Sequence, residues 1–328
     1  MPDPTVSIGI PTYRGADRVE QLLTTLVTIT QYPRDEYRIV VVDDGTPDPN
    51  HASKLKAICD RFGVDFLIHE TNRGIPAAWN TLTKYHEAEY VILLNDDIQI
   101  CNPHWLTCAL YMLKENELIG TVGFPLIHIN PETGGLFEEI DPAKWGTRPG
   151  RVGAAVGCCF GFRKRYWEQI KQIDGSIGFP EYFGSFHEEI DLGMEFAKRG
   201  WRSYMMHYPA TEHWRSRTFS LNPELAWYLF DDRYADRDEY NRVLATSKYA
   251  KAFWDYQKDR IDGQFITSDG RIDRMSYSRY LFMKKWGVQP ENYDDPMNHV
   301  HRMVVDVLEP IQVKWLDEQL NPQEGIIP

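Results

Sequence analysis

Hydrophobic positions along the first hundred residues recur with two periods in alternation. Short apolar runs at 5–10, 38–42, 64–68 and Tyr90–Leu94 have the length and β-branched content of buried strands. Between them, 18–28 carries Val19, Leu22, Leu23, Leu26 and Val27 at helical spacing, 51–62 reads as an amphipathic helix and 76–86 as another. Strands alternating with helices predict a parallel sheet with helical crossovers. The pattern continues with a helix over 102–113, a strand over 119–124, a buried strand over 154–162 and a helix over 163–173. The stretch 129–152, rich in Gly, Pro and charge, predicts a long loop, and loops of that length are usually functional or mobile. Glu188 opens a further helix that Gly200 closes as a C-cap. Past Leu221 the composition turns to charge and aromatics with long helical stretches, including 240–261 and 277–286. A boundary near 220 therefore separates a unit at 1–220 from a mainly helical region at 221–328.

Two of the strands end in acids. Tyr90–Leu94 stops on Asn95-Asp96-Asp97, and the strand at 38–42 stops on Asp43-Asp44-Gly45. In open α/β sheets, ligands bind beyond the C-terminal ends of the strands. Paired hard oxygen donors there suit Mg²⁺ or Mn²⁺ holding a diphosphate. Asn and Asp also form ordinary turns, but turn chemistry is a poor account of two strands that deliver acids to one edge.

Composition narrows the field. A chain of 328 residues with 42% hydrophobic content buries one large core or two modest ones. No window approaches the ~18 to 20 apolar residues of a membrane span. Met1-Pro2-Asp3-Pro4 leads straight into a strand where a signal segment would be basic and then apolar, so a soluble cytoplasmic protein is expected. Five cysteines without a C-x-x-C pair suggest reduced, mostly buried thiols. The net charge of −12 argues against nucleic acid and anionic lipid as partners. The aromatic content of 13% is compatible with a sugar-handling site, although aromatics are commoner in cores.

Four features fall in chain order: Pro11-Thr12-Tyr13, Asp43-Asp44-Gly45, Asn95-Asp96-Asp97 and Glu188-Glu189-Ile190-Asp191-Leu192. Over about residues 5–220 their order and spacing resemble the inverting glycosyltransferases of family 2. The resemblance implies the GT-A fold, an α/β architecture with a Rossmann-like, mostly parallel sheet flanked by helices. It also implies a nucleotide-sugar half at 1–97 and an acceptor half at 98–220.

The resemblance implies roles for individual residues. Pro11, Thr12 and Tyr13 match the first-strand motif that borders the nucleotide base, and Asp43 matches the acid that accepts a hydrogen bond from a uracil-type N–H. Capping of the turn at Gly45 would better suit Asp44. Asn72 and Arg73 match the stretch where a cation approaches phosphate, although Arg73 could as easily be solvated. Asn80 matches a recurrent Asn, and a helix-surface amide is an equal account of it. Asn95-Asp96-Asp97 matches the D-x-D-like element, with Asp97 on the metal, Asp96 on ribose or a metal-bound water, and Asn95 departing from the usual first acid. His213 falls where the family has a His after the catalytic helix and is the second implied ligand. Arg215 and Arg217 alternate on an extended segment and could pair with the diphosphate.

Glu188-Glu189-Ile190-Asp191-Leu192 corresponds to E-D-x-D-L, so Glu189 takes the place of the general base, with Glu188 beside it. Glu188, Leu192 and Phe196 form an inward stripe, and Glu189 looks out from the first turn. An acidic first turn that complements the helix dipole explains the same residues. Glu181, in Phe179-Pro180-Glu181-Tyr182-Phe183, and Asp191 are the implied acceptor contacts. Lys285-Trp286-Gly287 resembles an element that follows the catalytic domain in some members.

The function implied is metal-dependent transfer from a nucleoside-diphosphate sugar, UDP-type favoured, to an acceptor hydroxyl with inversion. The acceptor class (glycan, lipid, small molecule or macromolecule) stays open, and the aromatic C-terminal region could form an acceptor groove, a homo-oligomer interface or simply core. A retaining enzyme shares the donor half, and an inactive nucleotide-sugar-binding scaffold would also fit. The first strand lacks the G-x-G-x-x-G of a dinucleotide oxidoreductase and the Gly-rich basic loop of a nucleotidyltransferase.

Overall fold

The computed structural model describes residues 4–124, 126–128, 150–152, 154–155, 157–172, 175–206, 211–213, 227–229 and 271–273, together with Ser278, Leu281, Phe282, Lys285 and Trp286. The chain begins β1 (Val6–Thr12), α1 (Ala16–Ile29), β2 (Tyr37–Asp43), α2 (Pro49–Phe62), β3 (Asp65–Ile68), α3 (Ile75–Tyr85), β4 (Tyr90–Leu94). It continues β5 (Ile98–Ile100), α4 (Trp105–Glu115), β6 (Ile119–Gly123), β7 (Leu126–His128), β8 (Gly150–Val152), β9 (Cys159–Arg163), α5 (Lys164–Trp167). Then follow α6 (Glu188–Lys198), β10 (Arg202–Met205), β11 (Thr211–His213), β12 (Trp227–Leu229) and β13 (Arg271–Asp273).

Eight strands form one sheet in the order β3-β2-β1-β4-β9-β6-β10-β8. The pairs from β3 to β4 are parallel, as the alternating pattern predicts, and β9 runs antiparallel between β4 and β6. Because β1 connects outward to β2 while β4 lies on its other side, the strand order reverses between β1 and β4. That reversal opens a crevice at their C-terminal ends. Val91, Ile92, Leu93 and Leu94 are all at most 1% exposed. Each such side chain contributes roughly 1.5–3 kcal/mol by leaving water, so β4 is a rigid support for the acids that follow it.

Two apolar layers cover the sheet. On one, Val19, Leu22, Leu23 and Leu26 of α1 pack against Ile8, Ile10 and Ile92. On the other, Trp79 of α3 meets Phe160 and Phe179, with ring centroids 5.1 and 5.0 Å away.

Several expectations change. The helix expected over 163–173 is only α5, because the chain turns at Glu168 and pairs Lys171 with Ile177 across a tight reversal. The strand expected over 154–162 begins only at Cys159. β5 was hidden by its length of three residues; it pairs with β11, which also pairs with β7. In the region expected to be mainly helical, β12 and β13 pair antiparallel. The helix expected over 240–261 and most of the loop at 129–152 lie outside the described residues. Cys59, Cys158 and Cys159 are buried, whereas Cys101 and Cys108 are exposed. No helix among the described residues is long and apolar enough to cross a membrane.

Candidate active site

The crevice is built first at β1 and β4. Past β4, Asn95 accepts the N–H of Ile98 through its carbonyl, so the turn and the acid site are one structure. Asp96 is 5% exposed and bound on both carboxylate oxygens. Arg18 donates through Nε to Oδ1 at 3.0 Å and through a terminal nitrogen to Oδ2 at 2.9 Å, while the Thr12 hydroxyl donates to Oδ2 at 2.5 Å. Burial pushes the Asp96 carboxyl up, against the pull of Arg18 and Thr12. A side chain at Gly15 would collide with Asp96, Thr12 and Arg18 at 2.1–2.6 Å, which explains why the β1–α1 loop narrows to glycine there. Tyr13 is half-buried beside this cluster, with the Arg14 guanidinium 5.1 Å from its ring.

Arg18 was not among the expected site residues. It shares the buried stripe of α1 with Leu22 and Leu26 at i, i+4 and i+8, and a cation on an apolar stripe needs an acid opposite.

On β2 the two acids divide the work in a way the sequence does not suggest. Asp43, fully buried, caps the turn: its Oδ1 accepts from the N–H and hydroxyl of Thr46 at 3.1 and 2.6 Å, and Oδ2 faces His51 at 3.2 Å. Turn capping thus falls to Asp43 and not to Asp44. Asp44 instead clasps the next loop, accepting the N–H groups of Arg73 and Gly74 at 3.0 and 2.8 Å and facing His69 at 2.7 Å. Asn72 is half-buried in that loop, and Pro11 lies buried in β1.

The same loop reaches across to residues 181–184, just before α6. Arg73 pairs with Glu181 at 2.7 Å, Ile75 N–H donates to the Gly184 carbonyl at 3.1 Å, and any side chain at Gly74 (φ 88°) would strike that carbonyl. Asn80 is 1% exposed, so it is not a surface amide. It donates to the Phe179 carbonyl and to Glu181, and accepts the Phe179 N–H. Glu181 therefore ties the segment before α6 to α3 and the loop ahead of it through Asn80 and Arg73.

The helix α6 carries its acids at the first turn. Glu188, Leu192 and Phe196 are 5%, 2% and 0% exposed, so this stripe faces inward as expected, while Glu189 is only half-buried. Burial and the neighbouring Glu189 charge hold the Glu188 carboxyl well above the usual range, and its Oε2 meets no hydrogen-bond donor among the described residues. Burial raises Glu189 to about 7, although the N–H groups of Glu189 and Ile190 draw it back. A methyl group at Gly157 would lie 3.0 Å from the Glu189 carboxyl carbon. The next residue, Cys158, accepts the Asn95 N–H through its carbonyl, and its thiol is pushed up by burial and then by the charges of Asp97 and Glu189. Residues from the end of β4 and the start of α6 thus converge on the Gly157-Cys158 turn.

Asp191, the other implied acceptor contact, lies deep beneath the helix. It is fully buried, with Oδ1 bound by Lys285 at 2.7 Å and Trp286 Nε1 at 2.8 Å, and Oδ2 bound by Gln172 at 3.0 Å.

A divalent cation fits the edge of β4. Asp97 is 8% exposed, and the amide oxygen of Asn95 is buried without a donor among the described residues, so the site offers a hard anionic and a hard neutral oxygen. The backbone register of β11 sets His213 opposite Ile98, one residue past Asp97. Among the described residues no group of three His, Cys, Asp or Glu side chains gathers as a ready-made metal cage. Arg215 and Arg217 lie outside the described residues.

An open α/β sheet with acids at its switch point, followed by a helix with an acidic first turn, is an architecture of the GT-A type. The model of Glycosyl transferase family 2 matches residues 7–171, just over half of the chain, and the chain belongs to that family. The match ends before α6. A glycosyltransferase of Haloferax volcanii, AglE, is 30% identical over 140 residues, 42% of this chain and 44% of that protein. The chain thus aligns with under half the length of this relative. A mannosyltransferase of Pyrobaculum calidifontis, PcManGT, solved with GDP-Man and Mn²⁺, superimposes with a TM-score of 0.53 at 18% identity, covering 69% of this chain and 62% of that one. S. aureus TarS 1-349, solved with UDP-GlcNAc, gives 0.51 at 19% identity, covering 65% and 59%.

Proposed function

We propose that this chain transfers a sugar from a nucleoside-diphosphate sugar, UDP-type favoured, to an acceptor hydroxyl with inversion, Glu189 acting as general base. The observation that carries the reading is the half-buried Glu189 carboxyl, raised to about 7 and set against the same turn as the acid-bearing end of β4. A base poised near neutrality takes a hydroxyl proton as the bond to the anomeric carbon forms. The acceptor oxygen then attacks from the face opposite the departing nucleoside diphosphate. Thr12, Tyr13, Asn72 and Arg73 border the donor side of the crevice, and Arg18 holds Asp96 toward it. Pro11 and Asp43 support this edge from within the sheet.

Asp97, with Asn95 and His213, would hold Mn²⁺ or Mg²⁺, which supplies positive charge to the phosphates as negative charge accumulates on them. Mn²⁺ and the nucleotide sugars in the superimposed structures support this choice by likeness of fold.

The test is a screen of nucleotide sugars with Mn²⁺, read by thermal shift and then by nucleotide release, followed by NMR of the product's anomeric centre. Stabilisation by one donor, release of its nucleotide and an inverted anomeric centre are expected. A retained configuration would point to a retaining enzyme, and binding without release to a scaffold.

A further inference from the structure

The residues that hold α6 in place come from almost a hundred positions further along the chain. Ser278, Phe282, Lys285 and Trp286 are all helical, and their spacing puts them on one helical face. Each one touches α6 or the residues that lead into it. The Ser278 hydroxyl lies 2.9 Å from His187 Nδ1, and the Phe282 ring is 6.3 Å from the His187 ring and 6.5 Å from that of Phe183. Lys285 Nζ reaches Asp191 at 2.7 Å and Glu195 Oε1 at 2.8 Å, and Trp286 donates to Asp191.

The entry to α6 needs such restraint. Phe186 and His187 both have left-handed backbone angles, φ 68° and 63°, which residues with a Cβ hold only when their surroundings impose it. No side chain caps the helix at His187. The two residues that follow this strained pair are Glu188 and Glu189. A slight relaxation of the entry would therefore swing the base.

We propose that Ser278, Phe282, Lys285 and Trp286 form a clasp that sets the position of Glu189, with His187 and Asp191 as its points of attachment on the catalytic helix. The proposal rests on Glu189 as the base. Asp191 then serves transfer by anchoring the helix from behind, two residues from Glu189, and a shift of about 1 Å at such a site is enough to cost of the order of a hundredfold in rate.

The experiment compares Ser278→Ala, Lys285→Met and Lys285→Arg in the full chain. Nucleotide release is followed with UDP-glucose, UDP-N-acetylglucosamine and GDP-mannose as probes, and thermal midpoints are measured alongside. Lys285→Met is expected to lower kcat about 10- to 100-fold with donor KM within about twofold, and Lys285→Arg, which keeps charge and donors, to recover most of it. Ser278→Ala removes no buried charge and tests the clasp if Lys285→Met fails to fold; a kcat loss of about fivefold at unchanged donor KM is expected. The proposal is overturned if folded variants keep parental kcat, or if donor KM rises in step with the loss of kcat. The base reading fails separately, through a Glu189→Gln variant that retains transfer while the clasp variants do not.

Discussion

The acids at the strand ends and the first two acids of α6 stand in different surroundings. Asp43, Asp44 and Asp96 are enclosed by Thr46 and His51, by His69 and two backbone N–H groups, and by Arg18 and Thr12. Glu188 is buried and Glu189 half-buried, neither paired with a cation among the described residues, and burial holds both above the ordinary carboxylate range. Where partners surround an acid, it shapes loops. Burial raises Asp96 and Asp191 as well, but there Arg18 and Lys285 pull against it, whereas only backbone N–H groups pull against it at Glu189. Asp191 shows that helix position alone does not decide this, because Lys285 gives it the first kind of surroundings.

The strongest test of the contrast is Glu189→Gln, which keeps shape and removes the base. Transfer should fall about 10²- to 10⁴-fold with donor binding intact. A near-parental rate would move the base elsewhere and erase the functional half of the comparison.

Arg18→Met attacks the other half. It leaves Asp96 buried with only the Thr12 hydroxyl from its present partners, and breaking a buried pair in this way costs about 3–5 kcal/mol. Urea unfolding measures the loss, and adding Asp96→Asn should recover much of it. A loss below about 1 kcal/mol would mean that Asp96 is not fixed by the pair.

The pH dependences follow with smaller amplitude. The folded Glu189 holds its proton up to about 7, whereas the ordinary value is 4.5. Its contribution to stability is therefore full below about pH 4.5 and is lost as pH rises through about 7. Glu189→Gln avoids the loss, so its unfolding free energy should gain on the parent between about pH 5 and 8, by roughly 1 kcal/mol once partial exposure is allowed for, and its thermal midpoint should follow. Activity runs the other way, with kcat/KM falling below about pH 7 as the base protonates. Parallel midpoints for parent and variant across that range would show that burial does not raise Glu189.

Much of this contrast was legible in order and little in partnership. Continuous apolar runs and the 3.6 period marked β1, β2, β4 and the helices between them, because local burial on a regular sheet writes itself into neighbouring residues. The inward stripe of Glu188, Leu192 and Phe196 was visible for the same reason. The partners of Asp96, Asp44 and Asp191 lie 78, about 30 and 94 positions away, at distances where no periodicity operates. Hence the turn cap at Asp43, the loop clasp at Asp44, the buried Asn80 and the anchoring of Asp191 emerged only from the fold. Arg18 left a trace, a cation on an apolar stripe, whereas β5 and α5 were too short to leave one.

The smallest expected effect concerns the bridge between the two regions. Arg73 and Glu181 meet at 2.7 Å, but their side chains are 48% and 25% exposed, so the pair contributes under about 1 kcal/mol to stability. Arg73→Ala should barely move the thermal midpoint. The loop stays in place because Asp44 holds it through the backbone N–H groups of Arg73 and Gly74, which the substitution leaves intact. If the exposed guanidinium instead serves the donor diphosphate, donor KM should rise about tenfold at nearly constant kcat, the pattern of a group that binds ground and transition states alike. An unchanged KM would make Arg73 a tie to the segment before α6, and a fall in kcat alone would mean that the bridge, through Glu181, reaches the acceptor side where Glu189 acts.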